Sequence, residues 1–265
     1  MNFAREQSLL RQRLQAQGSP TLAAARQQEL GTTTTFLGAD GDAIAAAAAD
    51  LAAMHPQMGR AQMTAFVRTL WQSKIYELRA VGIELLAARA SLLEPADLTF
   101  LEGLLAESEV DALEKRLAGD VIGAMVTKHK KLWKDLRRFA AATQDVLRRA
   151  AVHASRLPLL DDREAFPRFV ELAEPLMAVA DARLQQAIDE LLSAAAAVHV
   201  DAVKELAARH GRVVTLPKKK PAKPAAKPAP AAAAEGVVVP TKPKPNGAPR
   251  AKPAPANKRP GQKKS

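Results

Sequence analysis

The sequence predicts an all-α fold of stacked helix pairs followed by a disordered tail. Three observations carry this. Apolar residues make up 48% of the chain but aromatics only 4%, a balance that suits close-packed, alanine-rich helices better than a β core. Helix start and stop signals recur along residues 1–212 with connections of mostly two to six residues, and no stretch alternates with period two. Composition then changes abruptly. Thirteen of the 39 Lys and Arg but only one of the 28 acids, Glu235, lie in 213–265, so that segment carries +12 and residues 1–212 a net −1.

The elements follow in order. Residues 2–17 place Phe3, Leu9, Leu10 and Leu14 along a helix that stops at Gly18. Ser19-Pro20 supplies an N-cap and a proline at the first helical position, and that helix ends at Leu30 before Gly31. Residues 32–35 connect to an alanine-rich helix capped by Asp40 or Asp42 and ending before Pro56. The GADGD there lacks the ligand spacing and closing glutamate of a calcium loop. Further helices are expected over 60–73, 74–90, 95–107, 110–118, 120–130, 131–141, 144–155, 161–177, 181–194 and 197–210. They pair at spacings of about 35–45 residues, each pair too thin to bury both faces alone. That is the pattern of a HEAT-like helical-repeat solenoid, with a compact helical bundle as the alternative. Two domains follow: the helical domain 1–212 and the tail 213–265.

Several function classes are excluded. With no cysteine, disulfides, zinc ribbons and thiol catalysis are out. The five histidines (His55, His129, His153, His199, His210) show no metal-ligand spacing and read as surface or boundary residues, so no metal and no cofactor are expected. No apolar run reaches the ~18 residues that span a bilayer, and residues 1–17 are charged rather than signal-like. The expectation is a soluble, cytoplasmic, nucleoid-associated monomer that touches no membrane.

Charge points to double-stranded DNA as partner. The tail interleaves Lys, Pro and Ala, holds twelve of the eighteen prolines, and includes Lys218, Lys219 and Lys220. Such an arm suits salt-sensitive, sequence-blind phosphate contacts. Within the helical domain Lys128, Lys130, Lys131, Lys134, Arg137 and Arg138 cluster within eleven residues, and Arg148-Arg149 follow one helix later. Lys130, Lys134, Arg137 and Arg138 have helical spacing, so one stripe can face a phosphate backbone while Leu132, Leu136 and Phe139 face the core. Trp133 stands beside the stripe, either buried or on DNA. Trp71 reads as core, with Glu77 and Arg79 as structural partners.

Leu70-Trp71-Gln72-Ser73 with Tyr76-Glu77-Leu78-Arg79, Leu147-Arg148-Arg149-Ala150-Ala151-Val152, and Ala187-Ile188 with Leu191 resemble, in order and spacing, segments of the AlkD-type DNA alkylation repair family. These are HEAT-like-repeat glycosylases that remove positively charged alkylated bases. The resemblance covers about residues 1–212. It implies a catalytic carboxylate one helical turn after a tryptophan, a second base-lining tryptophan, and an arginine that is Arg149 here. Registered on Gly123 and the Arg-Arg-Ala-Ala block, Asp111 falls at the tryptophan, Lys115 at the aspartate and Glu190 at the second tryptophan.

A lysine in that place opposes the positive charge that develops on the sugar, so glycosylase activity is expected to be reduced or lost. Asp111 and Lys115 then form an i,i+4 ion pair on a solvated turn. Two sharper readings stay open, Asp111 as a relocated carboxylate and Lys115 as a Schiff-base amine. A reading from another class, an architectural scaffold whose tail alone holds DNA, stands beside them.

Overall fold

The computed structural model describes residues 1–215, and those residues fold as a helical-repeat solenoid. The expectations for the tail, Lys218, Lys219 and Lys220 included, lie outside the described residues. The helices are α1 (Phe3–Gln17), α2 (Pro20–Leu30), α3 (Gly41–Met54), α4 (Arg60–Gln72), α5 (Tyr76–Ala88) and α6 (Leu98–Ala106). Next come α7 (Asp111–Arg116), a π-helical segment (Leu117–Ile122) and α8 (Gly123–Lys128). The remainder are α9 (Trp133–Ala140), α10 (Asp145–Ala154), α11 (Arg156–Asp161), α12 (Ala165–Met177), α13 (Ala182–Ala195) and α14 (Val200–Arg209).

The caps are local. Asn2, Ser19, Asp40 and Asp181 each accept a first-turn backbone N–H on a side-chain oxygen. Gly31 closes α2 with left-handed φ of 54°. Glycine is needed more strictly at Gly38, where φ is 81° and a Cβ would sit 2.1 Å from the Ser19 carbonyl oxygen. The turn is seated from below by Glu77, whose fully buried carboxylate accepts from the backbone N–H groups of Leu37 (2.9 Å) and Gly38 (2.8 Å). Arg79, its neighbour on α5, donates to the carbonyls of Trp71 and Glu107, with its guanidinium 5.2 Å from the centre of the buried Trp71 ring. Both residues act structurally.

From α4 on, the helices alternate between two layers. One holds α4, α6, α9, α12 and α14; the other holds α5, α7–α8, α10–α11 and α13. Ion pairs tie successive members of the first layer: Arg68–Glu107, Arg138–Glu102, Arg137–Glu171 and Arg209–Glu174, at sequence separations of 39, 36, 34 and 35 residues. The recurrence fits the repeat length inferred from the helix pairs. Each such exposed pair is worth about 0–1 kcal/mol, so burial of Phe66, Trp71, Phe139, Phe169 and the leucines between the layers holds the stack together.

Two boundaries differ from expectation. Asp111–Lys128 form one continuous helical run instead of two helices, because the π segment carries the chain through; the Gly123 N–H bonds the Ala118 carbonyl, five residues back. Residues 156–161 form a helix of their own. A connection is expected there; Pro158 falls in the first turn of this helix, where a proline is tolerated.

Candidate functional site

The second layer carries the site, where α7, α10 and α13 lie side by side. Asp181 caps α13, Arg149 projects from α10 and Glu114 from α7. Arg149 donates through Nε (3.2 Å) and a terminal nitrogen (2.7 Å) to one oxygen of Glu114, and its other terminal nitrogen lies 3.6 Å from Asp181. Only 8% of the Glu114 side chain and 12% of that of Arg149 is exposed. Burial pushes the Glu114 carboxyl above the ordinary carboxylate range, while the hydrogen bond and charge of Arg149 pull against it. Arg149 loses by burial but gains more from Glu114, Asp111 and Asp181, so its pKa is raised.

Two more exposed ion pairs span the cleft above this buried pair. Asp111 accepts from Arg183 at 2.8 Å, and Lys115 donates to Glu190 at 2.5 Å; both link α7 to α13, 72 and 75 residues on. The i,i+4 pair expected between Asp111 and Lys115 is therefore not what these side chains make. The Lys115 hydrogen bond holds the Glu190 carboxyl below its usual range. The cleft divides into adjoining compartments of about 380 and 200 Å³, sharing Lys115, His153, Ala187 and Glu190. His153, on α10 one turn after Arg149, is held down to a pKa of about 4 by burial and then by the charge of Lys115, so it is neutral at pH 7. No Phe, Tyr or Trp side chain lines either compartment.

The basic stripe is placed elsewhere. Lys130, Arg137 and Arg138 belong to the α9 side, where they pair with Asp162 (2.7 Å), Glu171 (3.0 Å) and Glu102 (2.8 Å). Lys128 donates to the Ser91 carbonyl. Lys131 and Lys134 are exposed and make no hydrogen bond or ion pair among the described residues. Arg148 folds back onto Asp145 at the start of α10. The single phosphate-facing stripe thus divides: two free lysines on the α9 side, committed cations beside them, and Arg149 inside the cleft. Trp133 is buried, 3% exposed, with Leu132, Leu136 and Phe139.

Sequence reasoning passed over Glu114, His153, Arg156, Asp181 and Arg183. The register set on Gly123 runs back across the π segment and puts Lys115 at the family's aspartate position, whereas the carboxylate that meets Arg149 is its neighbour Glu114. His199, expected near the surface, is 9% exposed and bonds the Leu159 carbonyl at 2.8 Å.

A helical-repeat protein whose cleft encloses a buried carboxylate–guanidinium pair is the class these features define. Residues 10–220 match the family model for DNA alkylation repair enzymes, and the chain belongs to that family. Among solved structures the chain is similar to a "predicted DNA alkylation repair enzyme" from Enterococcus faecalis, at 15% identity and a TM-score of 0.64, covering 75% of this chain and 92% of that one. At that identity the likeness concerns the fold. No curated protein matches the chain. No described helix is long and apolar enough to cross a membrane.

Proposed function

We propose that this protein binds duplex DNA over the α7–α10–α13 cleft and releases cationic alkylated bases, with Glu114 as the carboxylate that does the chemistry. The observation that carries this is the Glu114–Arg149 pair, buried at the floor of an open cleft. As the bond to a cationic base lengthens, positive charge moves onto the sugar. An ionised carboxylate within a few ångströms stabilises it and accepts a proton from the attacking water, while the base leaves neutral. Arg149 keeps Glu114 ionised despite its burial and fixes which oxygen faces the cleft. A partly dehydrated site makes that carboxylate more effective than one in open solvent.

The same cleft supports slow turnover. The resemblance implies two tryptophans against the base; here Asp111 and Glu190 line the cleft and are tied into ion pairs. Each lost stacking or cation–π contact removes about 1 kcal/mol or more. Duplex binding over this cleft draws on phosphate contacts from the tail lysines, Lys218 to Lys220 among them, while the free Lys131 and Lys134 on the α9 side add attraction at longer range.

Base release from alkylated duplex DNA tests the assignment. Glu114→Gln is expected to lower release about 10²-fold or more, by analogy with the loss of one charge-stabilising group. Asp111→Asn and Lys115→Ala are expected to retain it, and borohydride is expected not to trap the protein on abasic DNA. Release that persists in Glu114→Gln and disappears in Asp111→Asn would transfer the role to Asp111 and overturn the proposal.

A further inference from the structure

The two compartments of the cleft differ in charge balance. The smaller holds Asp111, Glu114 and Glu190 against Lys115, Arg149 and Arg183, and every one of these charges has a partner. The larger holds three cations against Asp120 and Glu190. Lys115 is held by Glu190, and Arg116 by Glu84 and Asp120. Arg156 is left. It is exposed at the start of α11 and makes no hydrogen bond or ion pair among the described residues.

We propose that Arg156 anchors one backbone phosphate of the DNA strand whose base is handled at Glu114, an inference that rests on the function proposed above. Arg149, His153 and Arg156 follow i, i+4, i+7 spacing, and Ser155, which joins α10 to α11, is itself helical (φ −74°, ψ −14°). His153 and Arg156 line the larger compartment together, so the cleft-facing side of α10 continues into α11. Seven residues of helix span about 10 Å. Arg156 therefore lies about 10 Å along this face from Arg149, the residue that holds Glu114.

The side chain between them on this face is the neutral ring of His153, and the two carboxylates of the compartment, Asp120 and Glu190, are held by Arg116 and Lys115. A guanidinium with all its donors free suits phosphate oxygens, which its fork engages in pairs. The compartment with one uncompensated cation receives the anion, and the balanced compartment receives the base and sugar.

Salt dependence of binding tests this, using the full chain and a duplex carrying one alkylated base. Each phosphate contact contributes about one to the slope of log K against log salt. Arg156→Ala is expected to weaken binding and lower the slope by about one. Arg156→Lys, which keeps a point charge, is expected to restore the slope. Arg209→Ala, which removes a cation already paired with Glu174 in the other layer, is expected to leave it unchanged. A slope in Arg156→Ala equal to that of the native protein overturns the anchor, as does a native protein that binds no duplex. Since binding is read independently of release, a slope that falls while no base is released upholds the anchor and ends the glycosylase reading.

Discussion

Truncating Arg149 to alanine removes both hydrogen bonds to Glu114 and leaves a carboxylate only 8% exposed, with Asp111 still nearby to raise its pKa further. Breaking a buried pair from one side costs about 3–5 kcal/mol, because the remaining charge is neither solvated nor compensated. For a domain of this size 1 kcal/mol corresponds to about 2–4 °C, so the melting temperature is expected to fall by about 10 °C. The loss depends on pH. Glu114 is already raised by burial and rises further without its guanidinium, so the folded state binds more protons than the unfolded one. Stability from such a group is present at low pH and lost as pH rises through the folded pKa, so the variant recovers on acidification from pH 7.5 toward 5.5. Urea denaturation of the full chain, followed by helical circular dichroism at both pH values, measures this. The double variant Glu114→Gln, Arg149→Ala is expected to be more stable at pH 7.5 than Arg149→Ala alone, since no charge is stranded. A loss under about 1 kcal/mol at pH 7.5 with no recovery at 5.5 refutes the reasoning, because it is how a solvated surface pair behaves. Glu114 would then lie in water, and the dehydrated-carboxylate argument for catalysis would fall with it.

Two further predictions concern the scaffold. His153, lowered from 6.5 to about 4, binds its proton more readily unfolded than folded, so its contribution is intact above pH 6.5 and fades as pH falls toward 4, by up to about 3 kcal/mol. His153→Gln is expected to lack that limb of the stability profile, and matching acid limbs in both proteins would exclude burial as the cause. Gly38→Ala forces a Cβ to within 2.1 Å of the Ser19 carbonyl oxygen at a positive φ, so the turn held by Glu77 must move. A loss of about 2 kcal/mol or more is expected by denaturation, and a loss below 0.5 kcal/mol would mean the turn adjusts freely.

Much of the fold was legible because its signals are local. Ser19-Pro20, Gly31 and Asp40 mark helix ends through hydrogen bonds that reach no further than four residues. The apolar stripes of α4, α9 and α10 show which face turns inward, as at Phe66, Phe139 and Leu147. What escaped were features in which α-helical counting fails. The π segment inserts a residue without changing composition, and Pro158 sits where a first turn tolerates it.

The site was harder to read for a related reason. On a short helix such as α7, the i,i+4 rule makes Asp111 and Lys115 partners, and in isolation that pairing is worth a few tenths of a kcal/mol. In a stacked repeat, each side chain on the second layer also faces a helix one or two repeats away, and partners of opposite sign there win. Asp111 goes to Arg183, Lys115 to Glu190, and Glu114 to Arg149, 35 residues on. The relevant period for charge is therefore the repeat length and not the helical turn. Applied to the cations of α9, the same period finds Glu102 and Glu171, 36 and 34 residues from Arg138 and Arg137. A run of positive charge in this fold thus overstates what is free to meet a phosphate, and the cations that count are those left without a partner in the described residues once these pairs are made, Arg156 in the cleft and Lys131 and Lys134 outside it among them.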